Sequence, residues 1–202
     1  MTTEDEAKQT GLPYKADGKY FRRVVPSPLP IRMLHAEMQA LKILTQAGCV
    51  VICAGGGGIP IVQDPVTGKI TGVEAVIDKD RAATMVAKDL GAQGLIILTD
   101  VTGVAVDFGT PQQRWIRAVT PGALQQLSHQ FPEGSMGPKC ASAIDFVQQT
   151  GGWAVIGSLR EAEGILQGTH GTYIGNFGDV NNSGEEDMQF HRDIDEMPKV
   201  AT

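Results

Sequence analysis

Residues 49–62 read CVVICAGGGGIPIV. Six apolar residues, Cys49 to Ala54, run straight into four glycines. A short, continuously apolar run is the pattern of a strand buried on both faces, as in a parallel sheet. Glycines cost conformational entropy on folding. Four in a row therefore raise two possibilities: a tight turn, or a place where backbone approaches a ligand.

The flanks extend the same pattern. Arg22–Pro30 (RRVVPSPLP) is extended, because its prolines forbid a regular helix. Upstream, residues 1–20 are polar and aperiodic. Leu34, Met38, Leu41 and Thr45 form one apolar stripe, predicting a helix over 31–47 that stops at Gly48. Ile59–Val62 and Ile70–Ala75 flank Pro65-Val66-Thr67-Gly68, a hairpin signature. Asp78 is an N-cap for a helix over Lys79–Leu90 that stops at Gly91. LIILT (95–99) reads as a second buried strand, followed by a loop over 100–113. Thr120-Pro121 opens a helix. A further helix runs from about Gly137 to Gln149, then a strand from Trp153 to Ile156. Ser158 and Glu161 have capping-box spacing for a last helix. Strands alternating with helices predict an α/β class with a mainly parallel sheet.

Composition narrows the partners. The formal net charge is −6. From Gly175 onward seven acids stand against Arg192 and Lys199, so this segment carries most of that charge. It is expected to be a disordered acidic tail. The near-neutral body gives no sign of nucleic-acid affinity. No run approaches the ~18 apolar residues of a membrane span. Cys49, Cys53 and Cys140 read as buried small hydrophobes in a reduced, intracellular protein. Asp179–Phe190 begins like a calcium loop, but Phe190 stands where such a loop needs a bidentate Glu.

Ligands of parallel sheets sit at the carboxyl ends of strands. Gly55, Gly56, Gly57 and Gly58 fall there, and so do Thr99 and Asp100. IDKD (77–80) puts Lys79 and Asp80 at a helix start, where anions are favoured. GSMGPK (134–139) places Lys139 in a first helical turn, against the usual preference for acids, which suggests an anionic ligand. Lysines at anion-friendly strand ends, with nearby carboxylates, suit phosphoryl transfer by positioning and charge neutralisation. His35, His129, His170 and His191 show no cluster, and no Walker motif is present.

Taken together, YFRRVVPSPLP (20–30), CAGGGGIPIV (53–62), GVEAVIDKDRAA (72–83), LIILTDVTGV (95–104), DFGTPQQR (107–114), FPEGSMGPK (131–139) and WAVIGSL (153–159) resemble carbamate kinase, of the amino acid kinase superfamily. The resemblance covers residues 4 to 174. It implies a three-layer αβα sandwich with a mainly parallel central sheet. Residues 1–30 would be the return of a lid subdomain, 31–174 the C-terminal part of the kinase domain, and 175–202 the tail. It further implies phosphoryl transfer between ATP and carbamate, giving ADP and carbamoyl phosphate, with Mg²⁺, in a cytoplasmic homodimer serving arginine catabolism.

By motif, Gly55–Gly58 would floor the carbamoyl site, and Lys79 and Lys139 would neutralise phosphoryl oxygens. Asp80 would orient the lysines near the metal. Thr99, Asp100, Val101, Gly103, Met136 and Gly137 would line the nucleotide pocket. The sequence departs from the family pattern at Thr102 and Ala105, where the nucleotide loop usually has Asp and Tyr. The family's opening strand and its Gly-Gly-Asn-Ala segment have no counterpart. The chain by itself is therefore expected to be weak or inactive. The alternative is a non-catalytic, nucleotide-binding or oligomerising remnant.

Overall fold

The structure, a computed structural model, describes residues 3–10, 12–132, 134–176 and 188–190. The chain forms two compact units, residues 1–30 with 52–82, and residues 31–51 with 83–202. The calcium-like stretch Asp179–Asp187 and most of the acidic tail lie outside the described residues.

In the first unit the polar lead-in is more ordered than its sequence suggests. It forms a helix, α1 (Glu4–Gln9), and an antiparallel hairpin of β1 (Tyr14–Asp17) and β2 (Tyr20–Arg23). The expected second hairpin is present as β3 (Ile61–Gln63) and β4 (Ile70–Gly72). Its turn is closed by Asp64, whose Oδ1 accepts from the backbone N–H groups of Val66 and Thr67 at 2.9 and 2.7 Å. Those bonds favour the ionised carboxylate and hold its pKa below the ordinary value.

The second unit is built on a mixed sheet ordered β10-β7-β9-β8-β5. β5 (Gly94–Thr99) and β8 (Trp153–Ser158) run parallel over six residue pairs, and β7 (Arg114–Val119) runs parallel to β9 (Thr172–Ile174). β6 (Ala105–Val106) and β10 (Met188–Phe190) pair antiparallel with β7. β8 meets β9 antiparallel, because the link between them holds only a 3-10 turn (Leu159–Glu161) and a five-residue helix, α6 (Ala162–Leu166). So short a link turns the chain back rather than carrying it across the sheet. β10 also corrects the expectation of a tail without structure: Met188 and Phe190 pack against the main core.

Side-chain alternation assigns the two faces of this sheet. Val119, Ala154, Ile156 and Ile174 face α4 (Pro121–Gln126) and α5 (Met136–Thr150), meeting Leu124, Ala143, Phe146 and Val147. Their neighbours Ala118, Val155 and Tyr173 face the other way, against Ile165 of α6. This is the helix–sheet–helix layering expected. The helix starts follow the predicted chemistry. Thr120 Oγ1 accepts from Ala123 N–H, and Asp78 Oδ1 accepts from Asp80 and Arg81 N–H ahead of α3 (Lys79–Leu90). α2 (His35–Gln46) ends as a Schellman motif: Gly48 and Cys49 donate back to the Thr45 and Leu44 carbonyls. The capping box is only half formed. Ser158 Oγ accepts from Arg160 N–H rather than from Glu161, and Glu161 Oε2 is buried without a hydrogen-bond partner among the described residues.

The apolar run 49–54 departs most from its reading. It is not a strand, and none of the described strands pairs with it. Val51 packs with Met38, Leu41 and Val86, while Val50 and Ile52 are 97% and 98% exposed. Cys49 and Cys53 are exposed as well, and only Cys140 is buried as expected. An apolar run states a demand for burial, but a strand exists only when a neighbour completes its ladder. Exposed valine and isoleucine on either side of Val51 favour association. Val50→Ser with Ile52→Ser is expected to lower binding of a hydrophobic dye and to shift sedimentation toward the monomer. The urea midpoint should move by no more than the equivalent of about 0.5 kcal/mol, as for an exposed substitution. Unaltered dye binding would mean that these side chains are covered.

Candidate active site

In the first unit the structure brings together Gly55–Gly58, Lys79 and Asp80. The glycine loop is a tight reversal, with Gly55 N–H donating to Cys53 O and Gly57 N–H to Ala54 O, both at 2.8 Å. Gly57 has φ +137°, and a Cβ there would lie 2.1 Å from the carbonyl oxygen of Ile77. The loop is thus seated on the backbone that enters α3, two residues before Lys79. Gly56 differs: a Cβ on it meets nothing within 4 Å.

Asp78 caps α3, which leaves the next two side chains to other work. Asp80 is buried at 7% exposure, and its Oδ1 lies 3.8 Å from Nζ of Lys79. Lys79 itself is 61% exposed. A contact that long at an exposed amine is worth well under about 1 kcal/mol, so it biases the lysine without locking it.

The second unit holds Thr99, Asp100, Val101, Gly103, Met136, Gly137 and Lys139. Parallel pairing sets Thr99 directly beside Ser158 at the carboxyl ends of β5 and β8. A cavity of about 460 Å³ opens there, lined by Leu98, Thr99, Asp100, Ser158, Leu159 and Arg160. Thr99 Oγ1 donates to Asp100 Oδ1 at 3.1 Å. Ser158, Leu159 and Arg160 were not singled out from sequence. The rule that points to the end of β5 points equally to the end of β8, but Ser158 reads there as a cap residue and nothing more.

Gly103 and Gly137 have packing reasons. A Cβ on Gly103 would lie 2.6 Å from Thr172 Oγ1, the atom that accepts from Val104 N–H and donates to Ile116 O. Gly137 N–H donates to Pro132 O at 3.0 Å, and Ser135 N–H shares that acceptor. The helix start at GSMGPK therefore offers fewer free N–H groups than its glycines suggest. Met136 opens α5 and packs on the main core. Lys139 lies in the first turn of α5 at 9% exposure, with no acidic residue in that turn. Its neighbour Cys140 is no nucleophile, because burial pushes its thiol pKa up to about 12.

The amino acid kinase family model matches residues 11–158. The chain is 47% identical to carbamate kinase of Haemophilus influenzae over 83% of its own length and 53% of that protein's. It is 45% identical to carbamate kinase of Escherichia coli K12, covering 85% of this chain and 55% of the relative. Among solved structures, carbamate kinase from Giardia lamblia bound to AMP-PNP superposes with a TM-score of 0.76 at 39% identity, over 85% of this chain and 56% of that one. The chain thus spans about half the length of the curated relatives it matches.

Two outcomes follow from the geometry. Gly57→Ala should cost about 2 kcal/mol in urea unfolding, from positive φ plus backbone overlap, whereas Gly56→Ala should be near neutral. Equal effects would show that the loop is not seated on Ile77. The Cys140 thiol is protonated in the folded chain and ionises on unfolding. Stability should therefore fall as pH rises above the ordinary thiol pKa, from about 8.5 toward 10. Cys140→Ala should flatten that slope in a thermal-melt series, and an unchanged slope would assign it to another group.

Proposed function

The chain belongs to the amino acid kinase family, and we propose that it performs the reversible transfer of a phosphoryl group between ATP and carbamate. The observation that carries this reading is the setting of Lys139, a nearly buried lysine in the first turn of α5. Helix N-termini favour anions over cations, so a lysine placed there suits an anionic phosphoryl group. The similarity to carbamate kinases supports carbamate as the acceptor, and the Giardia lamblia relative bound to AMP-PNP supports a nucleotide donor.

Each residue then has a task. A carbamate oxygen attacks the terminal phosphorus of ATP, the bond from phosphorus to the bridging oxygen breaks, and ADP leaves. Lys139 neutralises oxygens of the transferring group, and Thr99, Asp100, Val101, Gly103, Met136 and Gly137 hold ADP. Gly55–Gly58 receive the carbamoyl group, and Lys79 neutralises charge on it. Asp80 orients Lys79. No covalent intermediate is needed, because positioning and charge neutralisation carry this reaction.

Asp80, a carboxylate buried beside Lys79, would hold the Mg²⁺ that accompanies the nucleotide, an ion that binds through phosphates and one or two carboxylates. When bound, it would supply further neutralisation of phosphate charge. A cytoplasmic homodimer in arginine catabolism completes the proposal.

The test is ATP formation from ADP and carbamoyl phosphate, read by luminescence. The purified chain should produce ATP above the Lys139→Ala background, at a rate below the ~1–100 s⁻¹ of typical kinases. Circular dichroism of the variant should match the parent. Parent activity left intact in Lys139→Ala overturns the role of that lysine, and a parent chain that gives no signal favours the non-catalytic, nucleotide-binding remnant.

A further inference from the structure

We propose that Arg160 is a nucleotide-specificity residue, the cation that reads the phosphate chain at the mouth of the cavity closing β5 and β8. The inference rests on the nucleotide reading above and extends it to a wall of the site that the motifs do not name. The whole cavity belongs to the second unit, and its volume of about 460 Å³ is in the range of small-molecule sites.

Its lining combines three chemistries. Asp100 offers an exposed carboxylate, steered by the hydroxyl of Thr99 at 3.1 Å. Arg160 offers a guanidinium that has no hydrogen-bond or ion-pair partner among the described residues. Leu98 and Leu159 add apolar surface at 37% and 66% exposure. A carboxylate and a guanidinium that line one cavity, without forming an ion pair, are both available to a ligand. A carboxylate accepts from the hydroxyls of a ribose. The planar guanidinium fork matches phosphate oxygens. Apolar side chains flank a base. One ligand class carries all three complements, a nucleoside phosphate.

The wall that carries Arg160 is held in place. Ser158 Oγ accepts from Arg160 N–H at 3.2 Å and fixes the start of the turn. Downstream, Tyr173 donates its hydroxyl to Ile165 O at 2.7 Å. Buried Arg117 donates to the carbonyls of Gly171 and Gly168 at 3.1 and 2.5 Å. The segment from 158 to 171 is therefore tied to the sheet at both ends, so Arg160 projects from a pre-organised backbone.

The experiment uses the full chain and a fluorescent ADP analogue, displaced by ADP or by adenosine. Arg160→Ala should weaken ADP about tenfold, the scale of one charge-assisted hydrogen bond at an exposed site. Adenosine displacement should be unchanged, and Arg160→Lys should recover part of the loss. Because Arg160 is exposed, the variants should keep the parent circular dichroism. ADP affinity unchanged in Arg160→Ala overturns this inference and leaves the kinase reading standing. Equal losses for ADP and adenosine overturn the phosphate role. Failure of the parent chain to bind ADP at all overturns both.

Discussion

The parallel pairing of β5 with β8 is the constraint on which the rest of the second unit depends. Six residues of each strand are in register, from Gly94 beside Trp153 to Thr99 beside Ser158. Two strands that end together leave their last side chains adjacent, and the loops after them must diverge. That divergence is the cavity. The same register fixes the faces, since a slip of one residue would exchange Ala154 and Ile156 for Val155 and reverse the core. Packing of α5 follows from it, through Phe146 and Val147 on one face, as α6 follows through Ile165 on the other.

The first unit works by a different device. There the candidate residues are gathered by local sequence, not by a sheet. A glycine loop with positive φ is pressed against one carbonyl, and that carbonyl begins a capped helix start. The cap is Asp78, which frees Asp80 to lie buried beside Lys79. IDKD is thus a division of labour: the first carboxylate satisfies backbone N–H groups, and the second answers the lysine.

Legibility followed the range of the interaction. Helix starts, helix stops and the β3–β4 hairpin were readable because they depend on residues a few positions apart. Asp78, Thr120, Gly48 and Gly91 each act within one turn. The positions of Thr99, Lys79 and Lys139 at element ends were readable because local pattern marks those ends. β7 was hidden because RWIRAV carries two arginines in six residues. One of them, Arg117, is buried only because the carbonyls of Gly168 and Gly171 come to meet it from more than fifty positions away. β9 was hidden because three residues carry no period.

The sequence by itself determined the main helix starts and stops, the αβα class, the family motifs and the residues that suit a phosphoryl group, because these rest on local backbone chemistry and on residue type. Only the tertiary structure decided which apolar runs become strands and which side chains share a cavity. CVVICA (49–54) shows the first: its composition asks for a sheet interior, yet none of the described strands gives it a ladder, and Val50 and Ile52 face solvent. Arg160 shows the second. It lies sixty positions from Asp100, and the two line one pocket only because β5 and β8 are hydrogen-bonded neighbours. Hydrogen-bonded pairing between distant segments is a property of the folded chain, and residue order alone does not encode which partner is present.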